Sequence, residues 1–141
     1  AKAFSTSYIE RIVGYDKSVV EEEEYQKSLG KLILETAREN NVVIIGRAAY
    51  FFLKDMKNCY HIRLVAPMDW RKKYALENYK IRPDRVQKFI EKRDRNLRWF
   101  RRSICGAGFD DSLSFHLTLN MSRTPIGKVV ELIMSATNLS D

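Results

Sequence analysis

The sequence predicts an α/β fold with parallel strands, and three observations carry that prediction. Short apolar runs at residues 42–45, 60–65 and 115–119 read as strands, and helical segments alternate with them. The first run, VVII, is β-branched and unbroken, as a strand buried on both faces should be. The chain has 141 residues, 45% of them hydrophobic, which suits one domain over residues 1–141 with a real core.

Residues 17–40 are expected to form one long helix. Glu21 to Glu24 place negative charge at its positive N-terminal end, and Leu29, Leu32, Ile33 and Ala37 make an apolar stripe. That acidic run is either a cation site or simply a solvated helix start. Gly46 ends the first strand, and RAAYFFLK follows as a short helix. The strand at 60–65 gives way to a helix opened by Pro67 and Asp69 that runs to about Tyr79. Pro83 suits the first turn of an Arg-rich helix. A loop with Gly106 and Gly108 leads to the third strand. Thr124 and Pro125 then cap a last helix whose Ile126, Val129, Val130 and Ile133 face the core.

Charge is distributed unevenly. Residues 80–102 hold ten Lys and Arg against three acids, which accounts for the whole net charge of +7. Cationic charge held in one short segment suits either a lid over polyphosphate or a nucleic-acid-binding face. No apolar run approaches the roughly 20 residues that span a bilayer. The N-terminus lacks the charged start and long apolar stretch of a secretory signal. Cys59 and Cys105 have no C-x-x-C spacing and suit reduced thiols in the cytoplasm. With His61 and His116 they could make four zinc ligands, but their spacing fits no finger or ribbon. The chain opens on Ala, which fits a start partway through a longer product.

Three segments could carry chemistry. On the Arg-rich helix, Val86, Phe89, Ile90, Leu97 and Phe100 cluster on one side with Arg93 in their midst. A guanidinium buried there should reach a carboxylate or a bound anion. Asp94 projects towards the flank, and Arg95, Arg98, Arg101 and Arg102 fan around the other faces; a salt-bridged surface helix is the plainer reading of these. Next, Gly46 and Arg47 follow the first strand, where ligands gather in open α/β sheets. Gly46 would let a ligand approach the backbone, and Arg47 would open a helix whose free N–H groups favour anions. Last, Asn120-Met121-Ser122-Arg123 follows the third strand and either lines a nucleotide pocket or only caps the next helix.

In this order the segments VVIIGRAAYFFL, HIRLVAPMDWRKKYA, FIEKRDRNLRWFRR and DDSLSFHLTLNMSRTPIGKVVELI resemble the cytidylate kinase-like branch of the P-loop nucleoside monophosphate kinases. The resemblance covers almost the whole chain. It implies a helix-rich, three-layer fold with a parallel sheet, an Arg-rich lid at about residues 80–105, and phosphoryl transfer from ATP with Mg²⁺ to CMP, dCMP or a related nucleotide. Arg47 and Gly46 would hold the acceptor phosphate. Arg93 and Arg98 would neutralise charge on the transferring group, with Arg95, Arg101 and Arg102 as assistants whose register the sequence leaves open.

The chain departs from that family pattern. Its two Gly-Lys pairs, at 30–31 and 127–128, lack the preceding Gly and the following hydroxyl of G-x-x-x-x-G-K-[ST], so it has no motif for ATP phosphates. Ile45, Ala48 and Leu97 stand where family members carry acids. The strand feeding the phosphate loop is expected to be missing, leaving the sheet incomplete. The chain alone is then expected to be inactive, and an N-terminal segment or second subunit would complete the sheet. A degenerate, non-catalytic ligand-binding or assembly domain is the alternative. A third reading is nucleic-acid binding by the Arg-rich helix, with Trp70, Trp99 and Phe100 as stacking groups. The lack of any recognised binding motif counts against it.

Overall fold

The computed structural model describes residues 2–4, 22–39 and 41–137. Residues 17–21 and Asn40, at the two ends of the expected first helix, lie outside them. The elements are β1 (Lys2–Phe4), α1 (Glu22–Ala37), β2 (Val42–Ile44), α2 (Ala49–Phe52), β3 (Ile62–Val65), α3 (Met68–Asn78), α4 (Val86–Cys105), β4 (Leu117–Asn120) and α5 (Ile126–Thr137). The fold is therefore a helix-rich α/β one with parallel strands. Among the described residues no helix is long and apolar enough to cross a membrane. The chain divides into two compact units, residues 1–59 with 101–109, and residues 60–100 with 110–141.

In the first unit β1 pairs in parallel with β2, Lys2 opposite Val42 and Phe4 opposite Ile44. The sequence did not announce β1. Helix α1 packs on α2 and β2, and its Leu29 and Ile33 are fully buried. Between them Gly30 is required by a close approach: a Cβ there would lie 2.9 Å from Cδ1 and Cε1 of Phe52. The last turn of α4 joins this unit. Ile104 is buried, and Gln26 donates from Nε2 to the Ser103 carbonyl at 3.0 Å. Contrary to expectation, β2 is not buried on both faces. Val42 and Ile44 are half-buried, whereas Val43 and Ile45 are exposed. The strand alternates as one covered on a single side does.

In the second unit β3 and β4 are parallel, in register from Ile62 opposite Leu117 to Val65 opposite Asn120. Backbone bonds extend the ladder at both ends, from His116 N–H to His61 C=O and from Met121 N–H to Val65 C=O, each 2.8 Å. Pro67 caps α3 in extended conformation, and Pro83 opens a 3₁₀ turn that leads into α4. Ala75 of α3 packs with Val86 and Ile90 of α4, with Met68, Ile81 and Phe89 around them. Helix α5 corrects a second expectation. Val129 is buried and Ile133 half-buried, but Ile126 and Val130 are exposed. Positions 129 and 133 share one stripe and 126 and 130 its neighbour, and only the first is turned inward.

Candidate functional site

Arg47 is the buried charged residue of the described chain, with 8% of its surface exposed. Its backbone explains how it gets there. Gly46, Arg47 and Ala48 all adopt left-handed conformations, with φ of 80°, 56° and 52°. Glycine takes that conformation freely, whereas the other two residues each carry roughly 1–2 kcal/mol of steric strain. Three left-handed residues in a row bend the chain just past the carboxyl end of β2, and the Arg47 side chain on this bend is buried. The expected helix starting at Arg47 is corrected: α2 begins at Ala49 and lasts four residues, with Ala48 as its N-cap. One turn has little macrodipole, so the guanidinium rather than a helix end is the cationic feature here.

Arg93 is the other half of the expected site, and its environment is different. It is exposed, with its guanidinium carbon 5.5 Å from the centroid of the Phe89 ring. The expectation of a buried guanidinium is thereby corrected. The buried stripe of α4 consists of Val86, Ile90 and, in the last turn, Ile104, while Leu97 is 42% exposed. Phe89 and Phe100 are half-buried at its margins. Arg93 shares the Phe89 margin and keeps its hydration, so no desolvation drives it to an anion. Arg95, Arg98 and Arg102 are exposed and Arg101 is half-buried. Trp99 is 67% exposed, but Trp70 stacks on Tyr74 at 5.3 Å and is already occupied.

The residue the sequence concealed is Asp94. It accepts two hydrogen bonds from Arg71 of α3, at 2.8 Å from Nη1 to Oδ2 and 2.6 Å from Nη2 to Oδ1. The pair is partly buried, with side chains 35% and 24% exposed. Its hydrogen bond to Asp94 raises the Arg71 pKa, against a smaller lowering by burial. After solvent screening such a pair stabilises by about 1 kcal/mol. One signal was available: Asp94 falls four residues after Ile90 on the stripe that faces α3.

A second guanidinium, Arg63 of β3, bonds Asp110 Oδ1 at 2.6 Å and lies over the Phe115 ring at 5.5 Å. His116 accepts at Nδ1 from the His61 N–H at 2.9 Å. The segment after β4 is an Asx turn. Asn120 Oδ1 accepts from the Ser122 N–H at 3.0 Å and the Ser122 hydroxyl at 2.7 Å, which favours the capping reading of that loop. In the first unit Cys59 and Cys105 are free thiols. Burial raises the pKa of both. At Cys105 the Tyr50 hydroxyl, 3.4 Å from Sγ, and the charge of Arg101 oppose that rise.

The family model described as the cytidylate kinase-like family matches residues 1–123. The chain belongs to the cytidylate kinase-like family. Among solved structures it is similar to an uncharacterized protein from Eubacterium ventriosum ATCC 27560. That match has a TM-score of 0.78 and 13% identity and covers 99% of this chain and 84% of that one. At that identity the likeness shows the fold alone. No curated protein matches.

The residues of this cytidylate kinase-like chain fit the ligands of such chemistry unequally. Arg47 offers a buried planar guanidinium next to Gly46, the kind of group that pairs with a phosphate monoester. The ATP phosphates do not fit, because the sequence has no G-x-x-x-x-G-K-[ST] loop. For Mg²⁺, no three His, Cys, Asp or Glu side chains gather among the described residues.

Proposed function

We propose that this chain is the acceptor-binding and lid portion of a nucleotide kinase and that it binds a nucleoside monophosphate, CMP or dCMP, through its phosphate. Arg47 holds that phosphate with Gly46 beside it. Arg93 and Arg98 carry charge to the transferring group, assisted by Arg95, Arg101 and Arg102. The observation behind this reading is the buried Arg47 on left-handed backbone past β2. Backbone strain of that kind is kept where a side chain must be aimed.

ATP and Mg²⁺ supply the phosphoryl group and its charge neutralisation in such kinases. This chain has no motif for either. An N-terminal segment or second subunit carrying a phosphate loop would provide them and complete a three-layer parallel sheet as one domain, in a cytoplasmic setting. The absent loop favours a second reading, a ligand-binding domain that does not catalyse. Phosphoryl transfer from ATP to CMP by this chain alone would exclude that second reading.

Titration calorimetry with CMP and with cytidine tests the first. CMP should bind and cytidine should not, and Arg47→Ala should weaken CMP at least tenfold. Equal binding of CMP and cytidine would overturn it.

A further inference from the structure

We infer that Asp94 is a positioning residue for the lid helix: its two-pronged grip on Arg71 sets the rotation of α4 against α3, and with it the direction in which Arg98 projects. This rests on the reading of α4 as a phosphate-facing lid. Val86, Ile90, Asp94 and Arg98 recur every four residues, so they lie on one slowly drifting stripe of the helix. The first two are buried against Ala75 of α3. The third is held by Arg71, one helical turn nearer the start of α3 than Ala75. The two helices are therefore antiparallel along this stripe. Arg98, the fourth, is exposed.

Apolar packing secures the first turns of α4. Past Ile90 the next apolar side chains, Leu97 and Trp99, are 42% and 67% exposed and grip little. Between Ile90 and the buried Ile104 of the last turn, the bond to Arg71 continues the contact where greasy packing gives out. A fork meeting a carboxylate through two parallel bonds fixes direction as well as distance, which a single bond does not. Without it, a rotation of α4 by about 20° would carry a guanidinium through roughly 3 Å. Misplacement on that scale is enough to lose a shared phosphate contact.

Charge alone makes the opposite prediction. Asp94→Asn removes a negative charge near a cationic helix and should strengthen anion binding if Asp94 acts only electrostatically. If it positions Arg98, binding should weaken despite the added positive charge. The probe is tripolyphosphate, titrated into the full chain at one ionic strength. We expect binding by the unaltered protein, a loss in Arg98→Ala, and about a fivefold loss in Asp94→Asn. The exchanged pair Arg71→Asp with Asp94→Arg should recover part of that loss.

Amide hydrogen exchange in residues 94–100 should also quicken in Asp94→Asn without ligand. If that variant does not fold, Asp94→Glu keeps the charge but shifts the carboxylate by one methylene, and it should weaken binding too. Undiminished binding in the folded position-94 variant, with Arg98→Ala weakened, would overturn the inference and leave the lid reading intact. No binding by the unaltered protein would instead remove the lid reading, and this inference with it.

Discussion

Arg47 and Arg93 were both expected to meet phosphate, one on the acceptor and one on the transferring group, yet the chain treats them in opposite ways. Arg47 is buried on a left-handed backbone behind a two-stranded parallel pair. Arg93 is exposed on a long helix and lies over a phenylalanine ring. The first is aimed by main chain and the second by a helix whose orientation depends on neighbours. Under the proposed function, a cation aimed by strained backbone is set before its phosphate arrives, whereas one carried on an exposed helix face can follow its helix. Preorganisation belongs to the first region and adjustability to the second.

Substitution at the two arginines should separate these regimes most widely. Arg47→Ala should lower unfolding free energy by about 3 kcal/mol, through lost stem packing and stranded contacts. Arg93→Ala should change it by about 0.5 kcal/mol or less, the worth of an exposed cation–ring contact. Urea unfolding of both variants measures the difference, and equal losses would break the comparison.

A nearly equal effect is expected inside α4 itself. Ile90→Ala should destabilise by about 2–4 kcal/mol, as truncation of a buried side chain does, while Leu97→Ala should stay under about 1 kcal/mol. Similar values for the two would restore the broad apolar face and, with it, a buried Arg93.

The smallest effect concerns the first unit's thiols. Burial raises the pKa of Cys59 and Cys105. Less thiolate is then present at neutral pH than in a free cysteine, so alkylation by iodoacetamide should be slower. Its rate should climb only at pH above the ordinary thiol range of about 8.5. Mass spectrometry of each cysteine against pH checks this, and a plateau already reached near neutrality would contradict it.

Much of the framework was legible because particular residues punctuate it. Pro67 and Asp69 mark the start of α3, Pro83 the approach to α4, and Val42–Ile44 carries the β-branched signature of a strand. The three residues of β1 are too few to show alternation, so nothing announced them. The apolar residues of α4 span a wide arc, and periodicity cannot say which part faces inward. Val86 and Ile90 do, while Leu97 does not. Gly46 signalled a turn, but no residue type marks Arg47 and Ala48 as left-handed. Asp94 resembled any surface acid, because its meaning depends on Arg71, which lies 23 positions away and in a different helix.

The left-handed run from Gly46 to Ala48 restricts what drift can do at this corner of the molecule. Valine, isoleucine and threonine crowd such a backbone severely, and proline cannot reach it at all. Exchange is thus confined to glycine, asparagine and unbranched side chains. The charge at position 47 is more readily altered than its geometry, so a relative could abandon the cation while still inheriting the bend.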